Sequence, residues 1–167
     1  MNKEKPFEHK EPWEGVDESK FYPKKSSIGG FLAEGEKLKD VIVADRKVCE
    51  QLEIKSKEIG EKIAELLKRA MQEQGHKVPA VVDDFEISWT SWRGMQNCPF
   101  DGSYADFSNL DFIITNRKTG ESFSGPGLIA HLLKEHDFFE GHTSYRVDPE
   151  QAVKVLFEKE IKKGDVK

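Results

Sequence analysis

Asp111-Phe112-Ile113-Ile114-Thr115-Asn116-Arg117-Lys118-Thr119-Gly120-Glu121-Ser122-Phe123-Ser124 sets two β-type runs on either side of four residues that end in glycine. A connection of that length, with Gly where the backbone needs a positive φ, predicts an antiparallel hairpin. Upstream, Phe85, Ile87 and Trp89 alternate with Glu86, Ser88 and Thr90, the two-residue period of a half-buried strand. Downstream, Gly125-Pro126-Gly127 ends the sheet, Leu128 to His136 restarts a helix, and Gly141 is placed to stop it. Asp148-Pro149-Glu150 opens a last helix, with an N-cap and proline at its first position, and Val153, Leu156, Phe157 and Ile161 form its apolar face. Residues 80–161 thus read as a ββα-like unit plus a final helix.

Before this unit the period is helical. Between residues 36 and 74, Leu38, Ile42, Cys49, Leu52, Ile59, Ile63, Leu66 and Ala70 recur at alternating threes and fours, with Asp45 and Ser56 as polar members of the same stripe. The stripe is either the inner face of a helix, broken near Asp45 or Gly60, or a coiled-coil seam that dimerises the chain across residues 38–70. Two polar seam positions favour the intramolecular arrangement, in which Cys49 is a small buried hydrophobe. Gln74-Gly75-His76-Lys77 supplies a helix stop with His76 as a capping cation, and Pro79 forbids continuation. Residues 1–27 carry Pro6, Pro12 and Pro23 among mixed charges and isolated aromatics (Phe7, Trp13, Phe21, Tyr22). They read as an extended, partly disordered arm, either pinned by those aromatics or mobile, that closes at Ser26-Ser27-Ile28-Gly29-Gly30. The expected layout is that arm and a single α+β domain over 28–167: a long N-terminal helical segment, a small antiparallel sheet, then two C-terminal helices.

Composition narrows the function classes. With 26 basic against 31 acidic residues the formal charge is -5, so no overall positive field draws in nucleic acid or anionic lipid. No stretch approaches the run of about 20 apolar residues that spans a bilayer. Two cysteines in unrelated contexts suggest reduced thiols, and the expectation is a soluble cytoplasmic protein.

The chemistry-bearing residues cluster late in the chain. Cys98 lies in the turn-like run Asn97-Cys98-Pro99-Phe100-Asp101-Gly102, and His131, His136 and His142 fall within twelve positions of each other. Thiolate and imidazole are ligand types that zinc prefers. Two residues separate Cys98 from Asp101 and four separate His131 from His136, with the hairpin between the pairs and the second pair on or just past a helix. In order and spacing this segment resembles a Cys2His2 zinc finger in which Asp101 stands at the second cysteine, over about 40 residues. It departs from that family by a gap of 29 residues between Asp101 and His131 and by a carboxylate in place of a thiolate, which argues against nucleic-acid recognition. His131 and His136 are about 140° apart around an ideal helix, so convergence on one ion calls for unwinding of the last turn, or for His142 in place of His136.

Several functions remain open at this level. A saturated site of Cys98, Asp101, His131 and His136 suits a zinc-stabilised interaction or regulatory module with a protein partner. Three ligands such as Cys98, His131 and His142 plus a water suit a metal-dependent hydrolytic enzyme, with Asp101, Glu135 or Glu140 as the adjacent carboxylate. A metal-free structural protein makes His131 a core residue, His136 a C-terminal cation and Cys98 an inert thiol. A thiol enzyme with Cys98 as nucleophile has only Arg93 nearby in sequence to stabilise a thiolate. Trp89, Trp92, Phe138, Phe139 and Tyr145 either line a ligand groove or fill the core. Arg146 with Asp148 is either a docking pair or an ordinary surface ion pair.

Overall fold

The computed structural model describes residues 10–23, 30–73, 77–94 and 96–161. Phe7, most of the Ser26–Gly30 hinge and the Gln74, Gly75 and His76 stop lie outside them. Two helices, α1 (Leu38–Gln51) and α2 (Ser56–Glu73), precede strands β1 (Ala80–Val82), β2 (Phe85–Ser91), β3 (Leu110–Asn116) and β4 (Ser122–Pro126). Helices α3 (Ile129–His136) and α4 (Pro149–Phe157) follow. The strands form one antiparallel sheet in the order β1-β2-β3-β4. This is the expected α+β architecture, with β1 as an additional edge strand too short to show a period of its own.

The hairpin forms as its residues require. Gly120 takes φ 76°, and Asn116, buried at the end of β3, ties the turn to α4. Its Oδ1 accepts from Lys118 N–H at 2.9 Å and its Nδ2 donates to Val155 O at 2.9 Å. Ile87, Ile114 and Phe123 align across three strands, and α2 and α4 cover that row. Asp148 caps α4 by accepting from Gln151 N–H at 3.2 Å, with Pro149 in its first turn.

The helical segment 36–74 breaks at neither Asp45 nor Gly60. It breaks at Leu52–Lys55, where Glu53 adopts φ 55° and Ile54 N–H bonds to Cys49 O at 3.1 Å, while Glu53 N–H bonds to Glu50 O at 3.1 Å. That is a Schellman closure built without glycine, so the usual stop signal was missing from the sequence. Lys55 N–H then donates to Glu58 Oε2 at 2.8 Å and α2 begins. All of the stripe, including Asp45 and Ser56, is buried within the chain's own core. Asp45 is accommodated by a two-point pair with Arg146, at 2.6 and 3.0 Å. Arg146 is therefore engaged internally and does not form the surface pair with Asp148.

Gly60 continues α2 because the backbone of α3 lies against it. A Cβ there would sit 2.7 Å from Ala130 O and 2.9 Å from Lys134 N. At the other end of the contact, α3 stops at His136, and Asp137 turns into the left-handed region at φ 55°. Gly141, the expected stop, lies further along and donates its N–H to Phe31 O at 2.7 Å. The arm is docked over its described part: Phe21 is fully buried, and Arg46 packs over Trp13 while pairing with Glu11 and Asp137.

Two predictions follow from the packing. Gly60→Ala gains helix propensity worth up to about 1 kcal/mol, but overpacking against backbone costs about 1–3 kcal/mol, so urea unfolding shows a net loss on the order of 1–2 kcal/mol. The second concerns Glu140, 2% exposed, whose Oε2 has no hydrogen-bond partner among the described residues. Burial, then the charge of Asp111, raise its pKa well above the ordinary value, and Arg146 opposes them only in part. A raised folded-state pKa contributes stability that is present below the unfolded pKa and is lost as pH rises toward the folded one. Glu140→Gln therefore unfolds at higher urea than wild type at pH 8, and that advantage shrinks at pH 5.

Candidate metal centre

Cys98, Asp101, His131 and His136 converge, with one ligand atom from each lying within 4.8 Å of all the others. The first two come from the loop between β2 and β3 and the other two from α3. Cys98 is 1% exposed, and the loop closes around it: Cys98 N–H donates to Ser103 O at 2.9 Å, and Gly102 N–H donates to Cys98 O at 2.8 Å. Gly102 takes φ 73°, which turns the chain sharply behind Asp101. Asp101 Oδ1 accepts from Ser103 N–H at 2.9 Å, and this aims Oδ2 at the helix.

Both imidazoles meet that oxygen. His131 Nε2 lies 3.1 Å and His136 Nε2 3.2 Å from Asp101 Oδ2. The helix need not unwind before His136, because α3 is regular through that residue and both rings still come within hydrogen-bond distance of the same oxygen. Phe100 stacks on His136 with centroids 4.3 Å apart and planes 11° from parallel, and Phe21 and Phe138 pack edge-on against Phe100. His136 is thus held by an aromatic group that also anchors the arm.

The electrostatics follow from this geometry. Burial alone would raise the pKa of Asp101, but hydrogen bonds from Ser103, Cys98 and His136 outweigh it and hold the carboxyl well below the usual carboxylate range. Burial lowers His136 against the pull of Asp101, favouring the neutral imidazole. The Cys98 thiol is pushed up to about 11, chiefly by burial.

His142 lies elsewhere. Its side chain is 79% exposed, its Nδ1 is 2.7 Å from Glu36 Oε2, and its N–H donates to Glu36 Oε1 at 2.9 Å. Burial tends to raise Glu36, and the bonds from His142 and Ala33 overcome it. Glu140, the distant candidate for an adjacent carboxylate, is buried in the field of Asp111 and Arg146. Glu135 borders a groove of about 350 Å³ beside His131. Sequence reasoning gave no place to Ser103 and Phe100, which orient the carboxylate and one imidazole; the only signal was that Phe100 lies inside the Cys98–Gly102 turn and Ser103 directly follows it.

The cluster could hold a metal ion. Bonds of 2.0 Å at tetrahedral angles put adjacent ligand atoms about 3.3 Å apart, close to the separations seen around Asp101 Oδ2. The same distances are those of two imidazole–carboxylate hydrogen bonds. No helix among the described residues is long and apolar enough to cross a membrane. Compared with protein-family models, curated proteins and solved structures, the chain matches none.

Burial pushes the Cys49 thiol up to about 12, and like Cys98 it is buried, so neither thiol is open to a reagent in the folded chain. A thiol-reactive disulfide reagent at neutral pH is expected to titrate no thiol until urea is added, and two thereafter.

Proposed function

We propose that Cys98, Asp101, His131 and His136 bind one zinc ion as a saturated, structural site, and that the protein is a cytoplasmic interaction or regulatory module stapled by that ion. The convergence of four donors from two separate segments carries the reading. A tetrahedral ion filled by four protein ligands leaves no position for a reacting water, whereas catalytic zinc keeps one open. Each donor brings something different to such a centre: a thiolate formed by loss of the Cys98 proton, an ionised Asp101 oriented by Ser103, and two imidazoles, that of His136 held against rotation by Phe100. Zinc binding would couple folding of the loop from Trp92 to Asn109 to the end of α3. A reducing compartment suits a thiolate ligand. Trp92 and Tyr104, both exposed on that loop, supply apolar surface of the kind that partner proteins use.

Elemental analysis of untagged protein tests the site. About one zinc per chain is expected in wild type and in His142→Ala, and none in Cys98→Ser or His131→Ala, with a lowered melting temperature on chelation. Metal-free wild-type protein that a zinc titration cannot load against a mild chelator would overturn the proposal. Asp101→Ala decides the ligand count. Loss of zinc identifies a saturated site, whereas retained zinc would give a three-ligand centre with water and the hydrolytic reading instead.

A further inference from the structure

The described part of the N-terminal arm, residues 10–23, reaches the end of α3 by two routes. The first runs through one ring. Phe100 lies in sequence between Cys98 and Asp101, stacks on His136 with centroids 4.3 Å apart, and meets Phe21 of the arm edge-on at 4.8 Å. Phe21 is fully buried, and its carbonyl accepts from Phe31 N–H at 2.7 Å and from Leu32 N–H at 2.9 Å, so ring and backbone of one residue anchor this end of the arm. The second route is Arg46. Its guanidinium lies 5.3 Å from the centroid of the Trp13 ring, pairs with Glu11 at 2.7 Å and donates to Asp137 Oδ2 at 2.8 Å. Asp137 is the left-handed residue that ends α3 directly after His136.

Both routes act on the same histidine. An imidazole that presents Nε2 to an ion binds it better when its rotation is already restricted, because less conformational entropy is lost on binding. Phe100 restricts the ring of His136, the arm restricts Phe100, and Arg46 fixes the backbone beside it. The influence also runs the other way. An ion that joins Cys98 to Asp101 fixes the turn that carries Phe100, and with it the surface on which Phe21 rests. Such coupling is reciprocal by thermodynamic necessity: whatever the docked arm adds to metal affinity, the metal adds to docking. The arm is where that gain shows. Trp13, Val16 and Tyr22, its other apolar contacts with the core, are only partly buried, and a segment with few buried apolar contacts opens locally at lower cost than the core does.

We infer that the arm is a metal-dependent strap: filling the centre of Cys98, Asp101, His131 and His136 tightens residues 10–23 onto the body through Phe100 and Arg46, and loss of the ion loosens them. This rests on the metal reading above and gives that site a regulatory output, since occupancy at the β2–β3 loop is reported as docking of the N-terminal arm.

Limited trypsin digestion of the full chain, with fragments identified by mass spectrometry, tests the strap in zinc-loaded protein and in protein held in excess chelator. Cleavage after Lys20, exposed in the 3-10 turn Glu18–Phe21, reads the arm. Cleavage after Arg117, exposed at the opposite end of β3 from the loop that carries Cys98, is the internal reference. Chelation should accelerate cleavage after Lys20 roughly fivefold or more relative to Arg117, the low end of typical coupling between sites. In reverse, Phe21→Leu, which keeps bulk and loses the ring, and Trp13→Ala, on the Arg46 route, should each weaken zinc about threefold or more in competition with a chelator. Circular dichroism verifies that the variants are folded, and if Phe21→Leu is not, Trp13→Ala at its half-buried position decides. Wild type that takes up zinc with no change in the Lys20 to Arg117 ratio would overturn the strap alone, as would unchanged zinc affinity in the folded variants. Wild type that binds no zinc would overturn the metal reading and the strap together.

Discussion

The lack of a side chain at Gly60 lets the backbone of α3 lie directly on α2, and the rest of the arrangement hangs on that contact. With α3 set so close, its buried face (Ile129, Leu132, Leu133) joins the core, and its last turn projects past α2 toward the β2–β3 loop. An alanine-sized spacer would move His131 and His136 with the whole helix. Close packing makes such a displacement hard to absorb, because neighbouring side chains leave no free volume into which the helix could relax.

On that platform a single carboxylate does the joining. Asp101 accepts from the loop behind it through one oxygen and faces both histidines through the other, so the loop and the helix end are tied at one point. The Phe21–Phe100–Phe138 cluster supports this tie from beneath and extends it to the N-terminal arm. A second set of polar contacts does similar work along α1. Asp45 holds Arg146 inside the α3–α4 connection, and Arg46 holds Asp137 at the end of α3. Neighbouring residues of one helix thereby fix both ends of the segment that carries Glu140.

Much of the fold was legible because its signals are local. The alternation through Phe85–Trp89, the glycine of the 117–120 turn and the Asp148-Pro149 cap each depend on a few adjacent residues whose backbone preferences agree. The α1–α2 break was not legible, since the chain turns there through a glutamate in the left-handed region, held by the two backbone bonds that close α1 and by the fit of Ile54 and Leu52 into the core. Gly60 and Gly141 were read as interruptions, whereas one is a contact surface and the other a close approach to Glu36. Of the candidate ligands, four were brought together and His142 was drawn off to Glu36, a residue more than a hundred positions away that no spacing argument reaches.

The sequence by itself determined the order of helices and strands, the buried stripe of residues 38–70 and the residue types able to ligate a metal, because each rests on periodicity or on the chemistry of single side chains. Only the tertiary structure decided which histidines share Asp101, where Arg146 spends its charge and that the Glu140 carboxyl is buried. Those are distances between segments far apart in the chain, and they are set by how the helices pack.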